Sequence, residues 1–184
     1  MITVMQIILQ PVLFQPDRDI LSSLEKALSK EFNASSIVAA QPIKQIPEQL
    51  LFDNQRNQWK SSNILQWLSD KYNKPSSKER TTPKILAICD FDAYSGTLNF
   101  VFGQADLDGN IAIIYLPRLR QEFYGLKSDE YIFYQRLVKE AVHELGHSFG
   151  LGHCKNMKCV MHFSNSLYDT DFKTSHLCNV CKGA

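Results

Sequence analysis

Apolar positions along the chain follow two periods, one close to 2 and one close to 3.6. Residues 2–9 are rich in β-branched and apolar side chains and run up to Pro11, which predicts a largely buried strand. Over 17–32, Ile20, Leu21, Leu24, Ala27, Leu28 and Phe32 recur at helical spacing behind Asp17 and Asp19, the pattern of an amphipathic helix. A second strand is expected over 36–40, then a loop around Pro42 and Pro47, then a helix over 62–72 with Ile64, Leu65, Trp67 and Leu68 on one side. The polar stretch 74–83 reads as a surface loop, because the strand that follows it at 85–89 needs the earlier strands as neighbours. Two further strands, 98–103 and 111–116, flank the turn signal Asp108-Gly109. A long helix should begin near Ser128, whose hydroxyl can cap it, with Asp129 and Glu130 against the positive end of its dipole. Val138, Val142, Leu145 and Phe149 give that helix an apolar stripe, and Gly150 is placed to end it.

Strands alternating with helices and closing in a hairpin predict an α/β (α+β) fold. The expected core is a twisted, mixed five-stranded sheet with an antiparallel edge strand. A length of 184 residues suits one domain, 1–184, with a sheet-and-helix part over 1–150 and a small C-terminal part over 151–184. Twenty Lys and Arg against nineteen Asp and Glu leave a net charge of +1, which argues against nucleic acid and membrane surfaces as partners. No run approaches the roughly 18–20 apolar residues that span a bilayer, and the N-terminus lacks the basic flank and cleavage site of a signal peptide. A cytoplasmic monomer is the expectation.

Rare residues change the picture more than bulk composition does. Of five His and five Cys, all but Cys89 lie between His143 and Cys181. Within the long helix, His143-Glu144-Leu145-Gly146-His147 forms HExxH. At about 100° per residue, the two histidines sit about 40° apart on one face and can meet one ion, while Glu144 is rotated beside it. Gly150 lets the chain turn back, and His153 arrives as a third imidazole. Three imidazoles with an open fourth position describe a catalytic zinc site, in which Glu144 activates a zinc-bound water and passes its proton to the leaving amine. Glu140 shares the helical face and is a candidate acceptor for a ligand imidazole, the plainer reading being a rim contact. Tyr168 is a candidate oxyanion donor, against a packed surface tyrosine.

Cys154 and Cys159 are separated by four residues, and Cys178 and Cys181 by two. Two short-spaced pairs suit a closed Cys₄ structural zinc; disulfides or another metal are the alternatives. Cys154 directly follows His153, so an ion on the cysteines would fix the backbone beside the third imidazole. His162 and His176 stay unassigned, each able to replace a thiolate but more simply solvated or packed, and Cys89 reads as a buried core thiol.

HExxHxxGxxH followed by Met161 resembles the metzincin clan of zinc peptidases. The longer pattern HExxHxxGxxH-C-x₄-C-x-M with a later CxxC resembles the archaemetzincin family, covering 143–181 with similar stretches at 98–103, 118–126 and 139–142. The resemblance implies a compact metzincin-like domain with a long active-site helix and a small C-terminal zinc-binding subdomain. It implies a metalloprotease with two zinc ions per chain: a catalytic one at His143, His147 and His153 with Glu144 as base, and a structural one at Cys154, Cys159, Cys178 and Cys181. It further implies that Met161 forms a turn beneath the metal, that the edge strand at 98–103 pairs with a peptide or protein substrate, and that 163–167 borders the pocket beyond the cut. The gap from Met161 to Cys178 is one residue shorter than the family pattern. A zinc-binding regulatory or peptide-binding protein with little or no hydrolysis is the alternative, although retention of Glu144 favours the hydrolase. A nucleic-acid-binding zinc ribbon is disfavoured by the sparse Lys and Arg around the cysteines.

Overall fold

The computed structural model describes residues 5–34, 36–72 and 82–183. In chain order its elements are β1 (Gln6–Val12), α1 (Arg18–Phe32), β2 (Ser36–Ala39), α2 (Glu48–Leu51), β3 (Phe52–Asp53), β4 (Gln58–Lys60), α3 (Ser61–Tyr72), β5 (Lys84–Cys89), β6 (Ala93–Tyr94), β7 (Gly103–Ala105), β8 (Ile111–Tyr115), α4 (Glu130–Ser148), α5 (Leu167–Phe172) and α6 (Asn179–Lys182). Five strands form the expected mixed sheet in the order β2-β1-β5-β8-β7, parallel except for β7, which runs antiparallel to β8 at one edge.

Period-2 alternation divides the core. Leu86, Ile88, Ala112 and Ile114 face α1 and α4, whereas Ile85, Ala87, Cys89, Ile111, Ile113 and Tyr115 face α3. Both faces of β5 and β8 are covered, which is why these strands read as continuous apolar runs rather than alternating ones. Cys89 is fully buried, and burial raises its thiol pKa well above the ordinary value.

Three boundaries differ from the sequence expectation. The first strand continues through Pro11 to Val12. Backbone carbonyls of odd-numbered residues in β1 face β2, so the missing N–H of Pro11 falls just past the last β1–β2 pair, Leu9–Ala39, where no ladder partner is lost. The edge strand is not 98–103 but Gly103–Ala105. Before Phe102 the chain leaves the main sheet: the Val101 N–H donates to the Ala93 carbonyl, binding this stretch to a separate three-stranded sheet, β3-β4-β6. Strands of two or three residues carry no period that sequence reading can detect. Asp129 rather than Ser128 caps α4, its carboxylate accepting from the Ile132 N–H at 3.0 Å. The loop expected over 74–83 lies outside the described residues except at 82 and 83, as do the first residues of the 2–9 strand.

Candidate metal centre

Helix α4 supplies the first two imidazoles, and its end determines where the third arrives. The Gly150 N–H donates to the His147 carbonyl at 2.9 Å and the Leu151 N–H to the Gly146 carbonyl at 3.0 Å. This paired closure needs a left-handed residue, and Gly150 sits at φ +87°. The reversed chain brings His153 to His143 and His147, with the ligand atoms of all three within 4.8 Å of one another.

The other ring nitrogens determine the tautomers. His143 Nδ1–H donates to the Val160 carbonyl at 2.8 Å, and His147 Nδ1–H to the Leu151 carbonyl at 2.7 Å. Carbonyls only accept, so both protons are on Nδ1 and both Nε2 atoms carry lone pairs. Those Nε2 atoms are 3.1 Å apart with no proton available between them. Two ligands at 2.0–2.1 Å from one tetrahedral zinc lie about 3.3 Å apart, so the pair fits a shared ion. Burial, reinforced at each ring by the Lys173 ammonium, lowers all three imidazole pKa values and favours the neutral, ligating form.

Glu144 is 5% exposed and borders the same cleft, a cavity of about 280 Å³ between β7 and residues 163–165. Burial pushes its carboxyl pKa well up; Glu140 adds to the rise and Lys173 opposes it. Gly103 on β7 lies directly against it, where a Cβ would fall 2.5–2.7 Å from the Glu144 side chain. The backbone at Gly103 is not left-handed, so the contact with Glu144 is what a side chain there would disturb. Gly103→Ala should therefore displace Glu144 and lower turnover about 100-fold, the order of loss that a 1 Å misplacement causes. The measurement is kcat with zinc content followed in parallel; unchanged kcat would refute the packing argument.

Met161 is fully buried, and a Cβ on Gly146 would collide with its sulfur, so the methionine packs directly against α4 at Gly146. Its carbonyl accepts from the Cys154 N–H at 2.9 Å, tying that packing to the second cluster.

All four clustered cysteines are free, with sulfurs within 4.8 Å of one another. Cys154–Cys178 and Cys159–Cys181 sulfurs are each 3.8 Å apart, far from the roughly 2.05 Å of a disulfide. That spacing is about the edge of a tetrahedron with 2.3 Å zinc–sulfur bonds. The Cys181 N–H pulls the Cys178 thiol down to about 6, whereas burial raises Cys159 and Cys181. Such crowded sulfurs share negative charge poorly without a cation.

Four candidate roles, each weighed in the sequence against a plainer reading, have no counterpart in the geometry. Glu140 accepts nothing from a ligand imidazole: its Oε1 receives the Thr170 hydroxyl at 3.1 Å and pairs with the fully buried Lys173 Nζ at 3.2 Å. Tyr168 is 75% exposed on α5, stacked on Phe172 and away from the cleft lining, so it is not positioned as an oxyanion donor. His162 Nδ1–H donates to the Cys154 carbonyl at 2.9 Å. His176 Nδ1–H donates to Glu31 at 2.9 Å. Neither replaces a thiolate. Lys173 and Gly103 were missed at the sequence level because nothing local marks a lysine as buried or a glycine as touching a carboxylate some forty residues away.

Comparison with known proteins agrees with this geometry. A model of peptidase family M54 matches residues 35–184. Archaemetzincin from Methanocaldococcus jannaschii is 39% identical over 181 residues, covering 98% of this chain and 93% of that protein. Among solved structures, archaemetzincin from Archaeoglobus fulgidus complexed with malonate superposes with a TM-score of 0.77 at 32% identity, covering 97% of this chain and 99% of that one. A zinc-dependent peptidase from Methanocorpusculum labreanum superposes with a TM-score of 0.80 at 29% identity, covering 96% of this chain and 98% of that one. A family match over most of the chain, a relative matched nearly end to end and a site of converging imidazoles lead to one conclusion: the chain belongs to peptidase family M54, the archaemetzincins, and is a zinc metallopeptidase.

Proposed function

We propose that His143, His147 and His153 hold the catalytic zinc, that Cys154, Cys159, Cys178 and Cys181 hold a second, structural zinc, and that Glu144 is the general base of peptide hydrolysis. The observation carrying the reading is the pair of facing Nε2 lone pairs, each fixed by a carbonyl on the far side of its ring, with Glu144 beside them. Zinc bound there supplies Lewis acidity toward water and the scissile carbonyl. Glu144 takes the proton of the attacking water and delivers it to the leaving amine; the missing side chain at Gly103 leaves the space its carboxylate occupies beside the cleft.

The substrate is a peptide or protein segment laid along β7. Asp106 N–H and Phe102 C=O bond to β8, so even-numbered residues face inward and the N–H and C=O of Gly103 and Ala105 line the outer edge. An extended peptide adds there as a further strand, antiparallel or parallel, with specificity set by the pockets beneath it. Phe163, Ser164 and Asn165, which line the opposite wall, border the pocket for the side chain beyond the cut. We take the whole chain as one metallopeptidase domain acting as a cytoplasmic monomer; a reducing compartment keeps the four clustered thiols available as ligands. Among the described residues, no helix is long and apolar enough to cross a membrane.

The test is metal analysis of the purified chain together with cleavage of a diverse peptide library. Two zinc ions per chain are expected, with cleavage lost on removal by a chelator and restored by zinc. Intact zinc at the histidines with no cleavage anywhere in the library would favour the binding or regulatory alternative instead.

A further inference from the structure

The buried stripe of α1 ends on an unexpected residue. Ile20, Leu24 and Leu28 face the core, and Glu31, three residues further on, lies on the same side of the helix with its side chain only 3% exposed. An aliphatic residue would satisfy the packing of such a stripe, and burying a carboxylate there is costly unless it is fully engaged. Glu31 is engaged on both oxygens by the C-terminal segment. Its Oε1 accepts from the Leu177 N–H at 2.7 Å and its Oε2 from His176 Nδ1–H at 2.9 Å, with Lys182 Nζ 3.7 Å from Oε1. These partners flank Cys178 and Cys181 on both sides.

The hydrogen bonds continue inward from there. The His176 carbonyl accepts from the Val160 N–H at 3.0 Å, and the Val160 carbonyl accepts from His143 Nδ1–H at 2.8 Å. Cys178 N–H donates to Cys159 Sγ at 3.3 Å, joining the same segment to the cysteine cluster. Glu31 therefore stands at the outer end of a bonded chain that passes between the cysteines and ends on the first helical imidazole.

We propose that Glu31 is a positioning residue for both metal sites: it fixes 176–178, and through Val160 it fixes the tautomer and aim of His143. The inference rests on the two-site reading above. Partners that orient ligands from outside the coordination sphere typically contribute 10- to 100-fold in metal affinity. The buried carboxylate also explains why a helix 145 residues away in sequence is built into the cysteine knuckle.

The experiment uses the full chain loaded with zinc, and with cobalt as a spectroscopic substitute, in competition with a chromophoric chelator. Thiolate charge-transfer bands report the cysteine site, and the weaker visible bands report the histidine site. Glu31→Ala should weaken retention at both sites about 10-fold or more. Glu31→Gln should weaken it less, because one carbonyl-type oxygen remains to accept from the Leu177 N–H. Glu25→Ala, an exposed carboxylate on the same helix, should change neither. If Glu31→Ala does not fold, Glu31→Gln decides the matter by itself. Wild-type retention in the Glu31 variants would overturn the proposal, and weakening confined to the cysteine site would overturn the link to His143. A wild-type chain binding fewer than two ions would overturn the two-site reading, and the proposal with it, before any variant is compared.

Discussion

Glu144→Gln is expected to lower peptide cleavage about 10²–10⁴-fold, the range that a positioned general base contributes, while both zinc ions stay bound. The substitution preserves shape against Gly103 and removes only the ability to accept a proton. Burial and the neighbouring Glu140 already disfavour ionisation there, so the fold should tolerate a neutral side chain. Because Glu144 is rotated off the line joining His143 and His147, its loss should not empty the metal site. The measurements are kcat/KM on a cleaved library peptide and zinc content of the same sample. Cleavage that persists at the wild-type rate would eliminate Glu144 as the base, and zinc loss would mean that the carboxylate is a ligand.

Cys159→Ser should empty the cysteine site and also reduce zinc at the histidines, although Cys159 touches neither the imidazoles nor Glu144. Its sulfur is 3.8 Å from Cys181 and accepts from the Cys178 N–H, so removing it leaves three thiolates and a loosened knuckle. Two covalent neighbours carry the effect onward. Cys154 directly follows His153, and its N–H bonds the Met161 carbonyl at 2.9 Å; Val160, next to Cys159, holds His143. Structural zinc contributes about 10–16 kcal/mol in small zinc-folded peptides, so its loss should release this turn as a unit. Metal analysis should fall from two ions to below one per chain, with cleavage falling in proportion. One full equivalent of zinc at the histidines, with normal turnover, would show that the two sites are independent.

The residues proposed as metal ligands were legible in the sequence because their grouping is local. HExxH places two imidazoles one helical turn apart whatever surrounds the helix, and Gly150 and His153 complete the set within ten residues. The cysteine pairs are similarly short-range, although their spacing alone leaves disulfides open, and only the 3.8 Å sulfur separations separate the two readings. Long elements with a sustained period, such as α1, α4, β5 and β8, were legible for the same reason. The three-stranded side sheet and the shortened edge strand were not, since pairs of two or three residues are decided by which backbone lies opposite.

Sequence by itself therefore determined the chemistry: which side chains can meet an ion, which carboxylate stands beside them, and that a mixed sheet with an antiparallel edge would carry them. Tertiary structure decided the settings. It moved the edge strand to Gly103–Ala105 and pressed Gly103 against Glu144. It gave Glu140 to Lys173 and Thr170 rather than to an imidazole, and buried the Glu31 side chain against the C-terminal segment. The physical reason is shared. Apart from the edge strand, which is set by which nearby backbone lies opposite, each depends on a hydrogen bond or contact between segments about 30 to 145 residues apart, and whether a polar group is buried with a partner is a property of packing that no local spacing contains.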